Sequence, residues 1–126
     1  MIVKQVTARV ENKEGKLREV MDILDQENIE VEAISMADTV TRLIVADPEG
    51  VATILKRHGY PVELTDVIRV RIPSDSGALA RMLVAIANAN INLEYMYAFA
   101  TEEGSQMIFY PSDVARTEEI LADLSM

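Results

Sequence analysis

The sequence predicts an α+β fold made of two tandem copies of one β-α-β-β-α-β unit, each an antiparallel sheet with its helices on one face. Three observations predict it. The chain repeats itself at an offset of 62 residues, the same helical spacing recurs in register in both copies, and strand-like alternation flanks each helix. The copies span residues 1–66 and 67–126, and the second lacks its last strand.

Laying residues 11–36 over 73–98 puts Gly15 on Gly77, Leu17 on Leu79, Asn28 on Asn90, Ile29 on Ile91 and Glu32 on Glu94. Leu17, Val20, Met21 and Leu24 follow an i, i+3, i+4, i+7 spacing, and so do Leu79, Met82, Leu83 and Ile86. That spacing sets four apolar side chains on one helical stripe. Before the helices, Val6, Ala8 and Val10 alternate with Thr7 and Arg9, and Ile68, Val70 and Ile72 with Arg69 and Arg71. Alternation of this kind marks a strand with one buried face.

After each helix a second strand is expected from Ile29 and from Ile91. Turns at residues 37–39 and 101–104 lead to third strands near residues 41–46 and 106–110, where the offset drifts to 65 as a loop insertion requires. Asp47-Pro48 and Ser112-Asp113 open second helices, Pro being suited to the first turn and Asp or Ser to accepting its free N–H groups. Gly59 can close the first of them in a left-handed conformation. A fourth strand at residues 62–65 runs into the next repeat; its counterpart is missing, leaving an edge for another segment or another chain to cover.

Composition narrows the function. The chain has 126 residues, 49% hydrophobic and 26% charged, which suits a packed fold. Its net charge of −9 repels phosphate backbones and anionic lipid, so no nucleic acid or membrane partner is expected. The absence of cysteine removes disulfides and thiolate chemistry. With no signal-like N-terminus and no apolar stretch long enough to span a bilayer, a cytoplasmic location is expected. One histidine, no phosphate-binding glycine loop and no nucleophile–base spacing argue against an enzyme, a metal site or a cofactor.

The unit's strand and helix order is the ferredoxin-like arrangement, which hosts many functions. More specific are Asn12-Lys13-Glu14-Gly15-Lys16-Leu17, followed by Asn28-Ile29-Glu30-Val31, and in the second copy Ser74-Asp75-Ser76-Gly77-Ala78-Leu79, followed by Asn90-Ile91-Asn92-Leu93-Glu94. At these residues the chain resembles the ACT domain family, twice over and across almost its whole length. The resemblance implies a non-enzymatic regulatory module that binds an amino acid or similar small molecule where two such domains meet. It maps the family's polar loop position to Asn12 and Ser74, its glycine to Gly15 and Gly77, and its strand-start Asn to Asn92, with Glu30 standing at that place in the first copy.

In related domains the loop of one unit faces the second strand of its neighbour. The resemblance therefore implies one site from Asn12, Lys13, Glu14, Gly15 and Lys16 with Asn90 and Asn92. The other would combine Ser74, Asp75, Ser76, Gly77 and Ala78 with Asn28 and Glu30. A helix N-terminus offers N–H groups to a carboxylate, and an Asn oxygen can accept from an ammonium. The implied partners are this ligand, a second copy of the chain in a homodimer, and a separate metabolic enzyme or regulator as the target. The rival readings are an interaction or oligomerisation module without ligand and a small ferredoxin-like enzyme.

Simpler roles stand beside these. Gly15 and Gly77 suit turn geometry, Asn28 and Asn90 suit a left-handed helix end, and Asn12 and Ser74 suit plain helix capping. His58 suits a helix C-terminus, and Tyr95, Tyr97 and Phe99 suit core or interface. Arg9, Arg69 and Arg71 share one sheet face and are expected to pair with acidic neighbours.

Overall fold

The first alternating segment forms strand β1 (Ile2–Arg9), and its Val6 and Ala8, with Val10 just beyond, are fully buried. The structure, a computed structural model, describes residues 1–73 and 77–126. Then come α1 (Lys16–Gln26), β2 (Ala33–Ala37), β3 (Val40–Ile44), α2 (Pro48–Arg57) and β4 (Val62–Arg71). The second repeat supplies α3 (Ala78–Asn88), β5 (Leu93–Thr101), β6 (Gly104–Pro111) and α4 (Val114–Asp123). This is the expected α+β order, with β4 serving as the last strand of one repeat and the first of the next.

Two compact units result: Lys4–Thr65, and Asp66–Met126 together with Met1–Val3. In the first unit the strands run β2-β3-β1-β4. Register follows burial: Val6 lies opposite Leu43 and Ala8 opposite Thr41, all at 0% exposure. Val20 and Leu24 of α1 and Val51 and Leu55 of α2 pack on that face. Strand β2 starts four residues later than the alternation suggested. Asn28 leaves α1 with φ 57°, and the Ile29 N–H closes the helix on the Leu24 carbonyl at 2.9 Å. Ile29 and Val31 still pack against the core, which is why they read as strand.

The second unit places β4 beside β6 and β6 beside β5, with Ile68 opposite Phe109 and Val70 opposite Met107. Met82, Ile86 and Leu121 cover these residues from α3 and α4. The α3 stripe is shifted from expectation: Leu79 is 39% exposed, while Ala78 is buried in its stead. The missing fourth strand also has a definite replacement. Met1–Val3 belong to this unit, Met1 accepts from the Arg69 N–H at 2.7 Å, and the Ile2 N–H donates to Glu118 Oε2 of α4 at 3.2 Å. The edge expected to be covered by another segment or another chain is thus covered by a segment of the same chain, one read with the first repeat.

Leu55→Ala should cost about 2–5 kcal/mol and Phe109→Ala about 3–5 kcal/mol in urea unfolding, because both side chains are fully buried. A loss below 1 kcal/mol at either would contradict the packing described.

Candidate functional site

The loop between β1 and α1 carries Asn12, Lys13, Glu14 and Gly15, all exposed. Gly15 precedes the helix at φ 81°, a left-handed value that side chains with a Cβ rarely adopt. A Cβ placed there would meet nothing within 4 Å, so the backbone and not a neighbour demands glycine. Neither Asn12 nor any other side chain caps α1. The Lys16 N–H donates to the Lys13 carbonyl at 3.1 Å and the Glu19 N–H to the Gly15 carbonyl at 3.0 Å. Among the described residues this leaves the Leu17 and Arg18 N–H groups of the first turn without a hydrogen-bond partner.

The other pair of helices is closed. Asp47 accepts from the Gly50 N–H at 3.1 Å at the start of α2, and Asp113 from the Arg116 N–H at 3.0 Å at the start of α4. Helix α3 opens from Gly77, again without a side-chain cap among the described residues, but Gly77 has φ −103° and lies in the right-handed region. The two mapped glycines therefore differ in backbone. Ser74, Asp75 and Ser76 lie outside the described residues.

The strand-start residues divide by role. Asn28 and Asn90, at φ 57° and 59°, end α1 and α3 in left-handed conformation. Their N–H groups donate to the Asp25 and Ala87 carbonyls at 3.0 and 2.9 Å. This is helix termination, as the simpler reading expected. Asn92 is held differently: its N–H donates to Ser112 Oγ at 3.0 Å, and its Nδ2 to Glu94 Oε1 at 3.2 Å. With its amide nitrogen so used, its side-chain oxygen is the group turned to acceptor duty. Glu30 is exposed. Within one unit, loop and strand start lie at opposite ends of an eleven-residue helix, about 16 Å apart.

His58 Nδ1 contacts the Ile54 carbonyl at 3.0 Å and serves the end of α2. The aromatic stripe of β5 is half-buried and occupied: Tyr95 lies 5.4 Å from the Tyr110 ring, and the Arg69 guanidinium sits 5.3 Å over Phe99. Arg69 also donates to Gln106 Oε1 at 2.6 Å. Sequence patterning did not single out Tyr60 or Glu19. The Tyr60 hydroxyl donates to Glu19 Oε2 at 3.1 Å, and Lys16 Nζ lies 3.5 Å from the same oxygen. Burial, then the hydrogen bond to and negative charge of Glu19, raise the Tyr60 hydroxyl above its ordinary value of 10.0.

Two ferredoxin-like units, each with one glycine-led helix and one Asp-capped helix, define a tandem pair of small-domain repeats. The comparisons place it: the family of ACT domain pairs matches residues 1–125, and the chain belongs to it. It is similar to the crystal structure of protein BT0572 from Bacteroides thetaiotaomicron at 33% identity and TM-score 0.91, covering 99% of this chain and 90% of that one. The regulatory subunit of aspartate kinase from Thermus flavus shares the fold at 18% identity and TM-score 0.65, over 93% of this chain and 86% of that one. Aspartokinase III of E. coli, solved with lysine and aspartate, matches at 14% identity and TM-score 0.58 over 98% of this chain but 31% of its own. No curated protein matches the sequence significantly. Among the described residues no helix is long and apolar enough to cross a membrane.

Two outcomes follow from this geometry. Asp47→Ala and Asp113→Ala should each lower stability by about 1 kcal/mol in chemical unfolding, and Asn12→Ala by less than about 0.5 kcal/mol, because only the aspartates cap a helix. An Asn12 loss as large as the aspartates' would show a cap where none is found. The raised Tyr60 value contributes stability that is complete below pH 10.0 and is lost as pH rises through the folded value. Tyr60→Phe should therefore flatten the fall of the unfolding free energy above pH 10, and an unchanged slope would contradict the Tyr60–Glu19 contact.

Proposed function

We propose that this ACT domain pair is a non-catalytic regulatory module that binds a small amino-acid-like ligand, its carboxylate resting on the first turn of α1. The observation that carries the reading is the uncapped α1 terminus behind Gly15, with the Leu17 and Arg18 N–H groups unpartnered while Asp47 and Asp113 close α2 and α4. A helix N-terminus with free donors and a partial positive charge suits a carboxylate. Family membership supports it, as does the likeness to the regulatory subunit of an aspartate kinase and to an aspartokinase solved with lysine and aspartate.

The contacts we assign are Asn12, Lys13, Glu14, Gly15 and Lys16 at the α1 tip, and Asn92 as a strand-start position whose side-chain oxygen can accept from an ammonium. Asn90 and Asn28 act by fixing the chain direction at the strand starts. Gly77, Ala78 and Glu30 belong to a second, less standard set. The regulated target is a separate enzyme or regulator whose activity follows ligand occupancy.

A second copy of the chain is the proposed assembly partner, now by way of β5. Among the described residues that strand pairs with β6 on one side and with no strand on the other, and residues 95–100, Tyr-Met-Tyr-Ala-Phe-Ala, carry no charge and no proline. Edge strands are commonly protected by those residues, and here Met96 is 41% exposed. Light scattering after size exclusion should give twice the chain mass for the native protein and a monomer for Met96→Lys. A native monomer at all concentrations would contradict this pairing.

The ligand reading is tested by thermal shift against the standard amino acids. A ligand at about 100 times its Kd stabilises by about 2.7 kcal/mol, roughly 10 °C for a chain of this size. Asn12→Ala and Asn92→Ala should each shrink that shift, and an undiminished shift in both would sink the assignment.

A further inference from the structure

The first unit has a cavity that the helix-tip reading does not use. It holds about 190 Å³ and is lined by Thr7, Arg9, Val40, Pro61, Val62 and Glu63. Thr7 and Arg9 project from the same face of β1 by its two-residue period, away from the helix-covered Val6 and Ala8. On β4, Glu63 shares a face with Thr65, and the Thr7 and Thr65 hydroxyls meet at 2.9 Å, so all four lie on one side of the sheet. The backbone fixes this neighbourhood, since the Arg9 N–H donates to the Pro61 carbonyl at 2.9 Å.

Within that cavity the charges do not satisfy each other. Sheet-face arginines normally find an acidic partner, yet among the described residues neither Arg9 nor Glu63 makes a side-chain hydrogen bond or an ion pair. Thr7 Oγ1 is already committed, accepting from Gln5 Nε2 at 3.0 Å and meeting Thr65, and so forms a fixed floor. Val40, directly opposite Arg9, and Pro61 supply apolar wall, while Val62 turns its side chain to the helix-covered core. The space is smaller than the roughly 300–1,000 Å³ of pockets for drug-sized ligands. A guanidinium suits a carboxylate in a bidentate grip, and a carboxylate suits an ammonium.

We infer that Arg9 and Glu63 form a second small-molecule site, separate from the α1 tip, for a zwitterionic α-amino acid with a short aliphatic side chain. Arg9 holds the ligand's carboxylate, Glu63 its ammonium, and Val40 and Pro61 its side chain. An exposed Arg–Glu pair gains little by closing on itself, so the two charges stand open for a ligand that carries both of their complements.

The test is a ¹⁵N NMR titration of the full chain with L-valine, with glycine and, separately, with acetate, ethylammonium and inorganic phosphate. L-Valine should produce saturable amide shifts at residues 7–9 and 62–65, several-fold tighter than glycine and at least tenfold tighter than acetate or ethylammonium. Arg9→Gln and Glu63→Gln should each weaken L-valine at these amides at least tenfold, while Asn12→Ala leaves them unchanged. The inference is overturned if L-valine shifts no amide in these two segments, if the shifts survive both variants, or if phosphate alone saturates them. Shifts confined to residues 16–18 would also overturn it while leaving the helix-tip reading intact.

Discussion

Every backbone N–H and C=O removed from water needs a partner, and this requirement decides more of the molecule than any single side chain. It accounts for the second unit. A strand such as β4, buried through Ile68 and Val70, cannot leave its neighbouring side open, and Met1–Val3 supply the missing acceptors, beginning with Met1 to the Arg69 N–H at 2.7 Å. The same requirement closes α2 and α4 through Asp47 and Asp113 and ends α1 and α3 through Asn28 and Asn90. Against that background the first turn of α1, which no side chain caps, has donors to offer a ligand.

Much of the fold was legible because burial imposes period on sequence. Val6, Ala8 and Val10 alternate since one face of β1 is packed, and Val20 and Leu24 recur at helical spacing since α1 covers that face. What was illegible had no period. Residues 29–31 alternate and pack, yet form no ladder, because the hydrogen bond that ends α1 redirects the chain. The role of Met1–Val3 was hidden because pairing with β4 joins residues more than sixty positions apart, and nothing local in Met-Ile-Val announces it.

The site was legible in kind and less so in detail. Gly15 was marked by its place before a helix, and φ 81° gives the reason. Gly77 matches it in sequence and not in backbone, since its φ of −103° lies in the right-handed region. Asn28 and Asn90 align as a pair because helix termination repeats with the fold, so their matching says nothing of a ligand. Asn92, which matches Glu30 and not another Asn, is the position whose side chain has an acceptor to offer. Arg9 was expected to have an acidic partner; its neighbour Glu63 stands on the adjacent strand without closing on it, which only side-chain geometry could reveal.

The central claim is that the free donors of α1 receive a carboxylate. A crystal structure grown with the amino acid that gives the largest thermal shift tests this directly. The account predicts a ligand carboxylate oxygen about 3 Å from the Leu17 or Arg18 nitrogen. A bound amino acid elsewhere, with that turn filled by water or by a protein side chain, would contradict it.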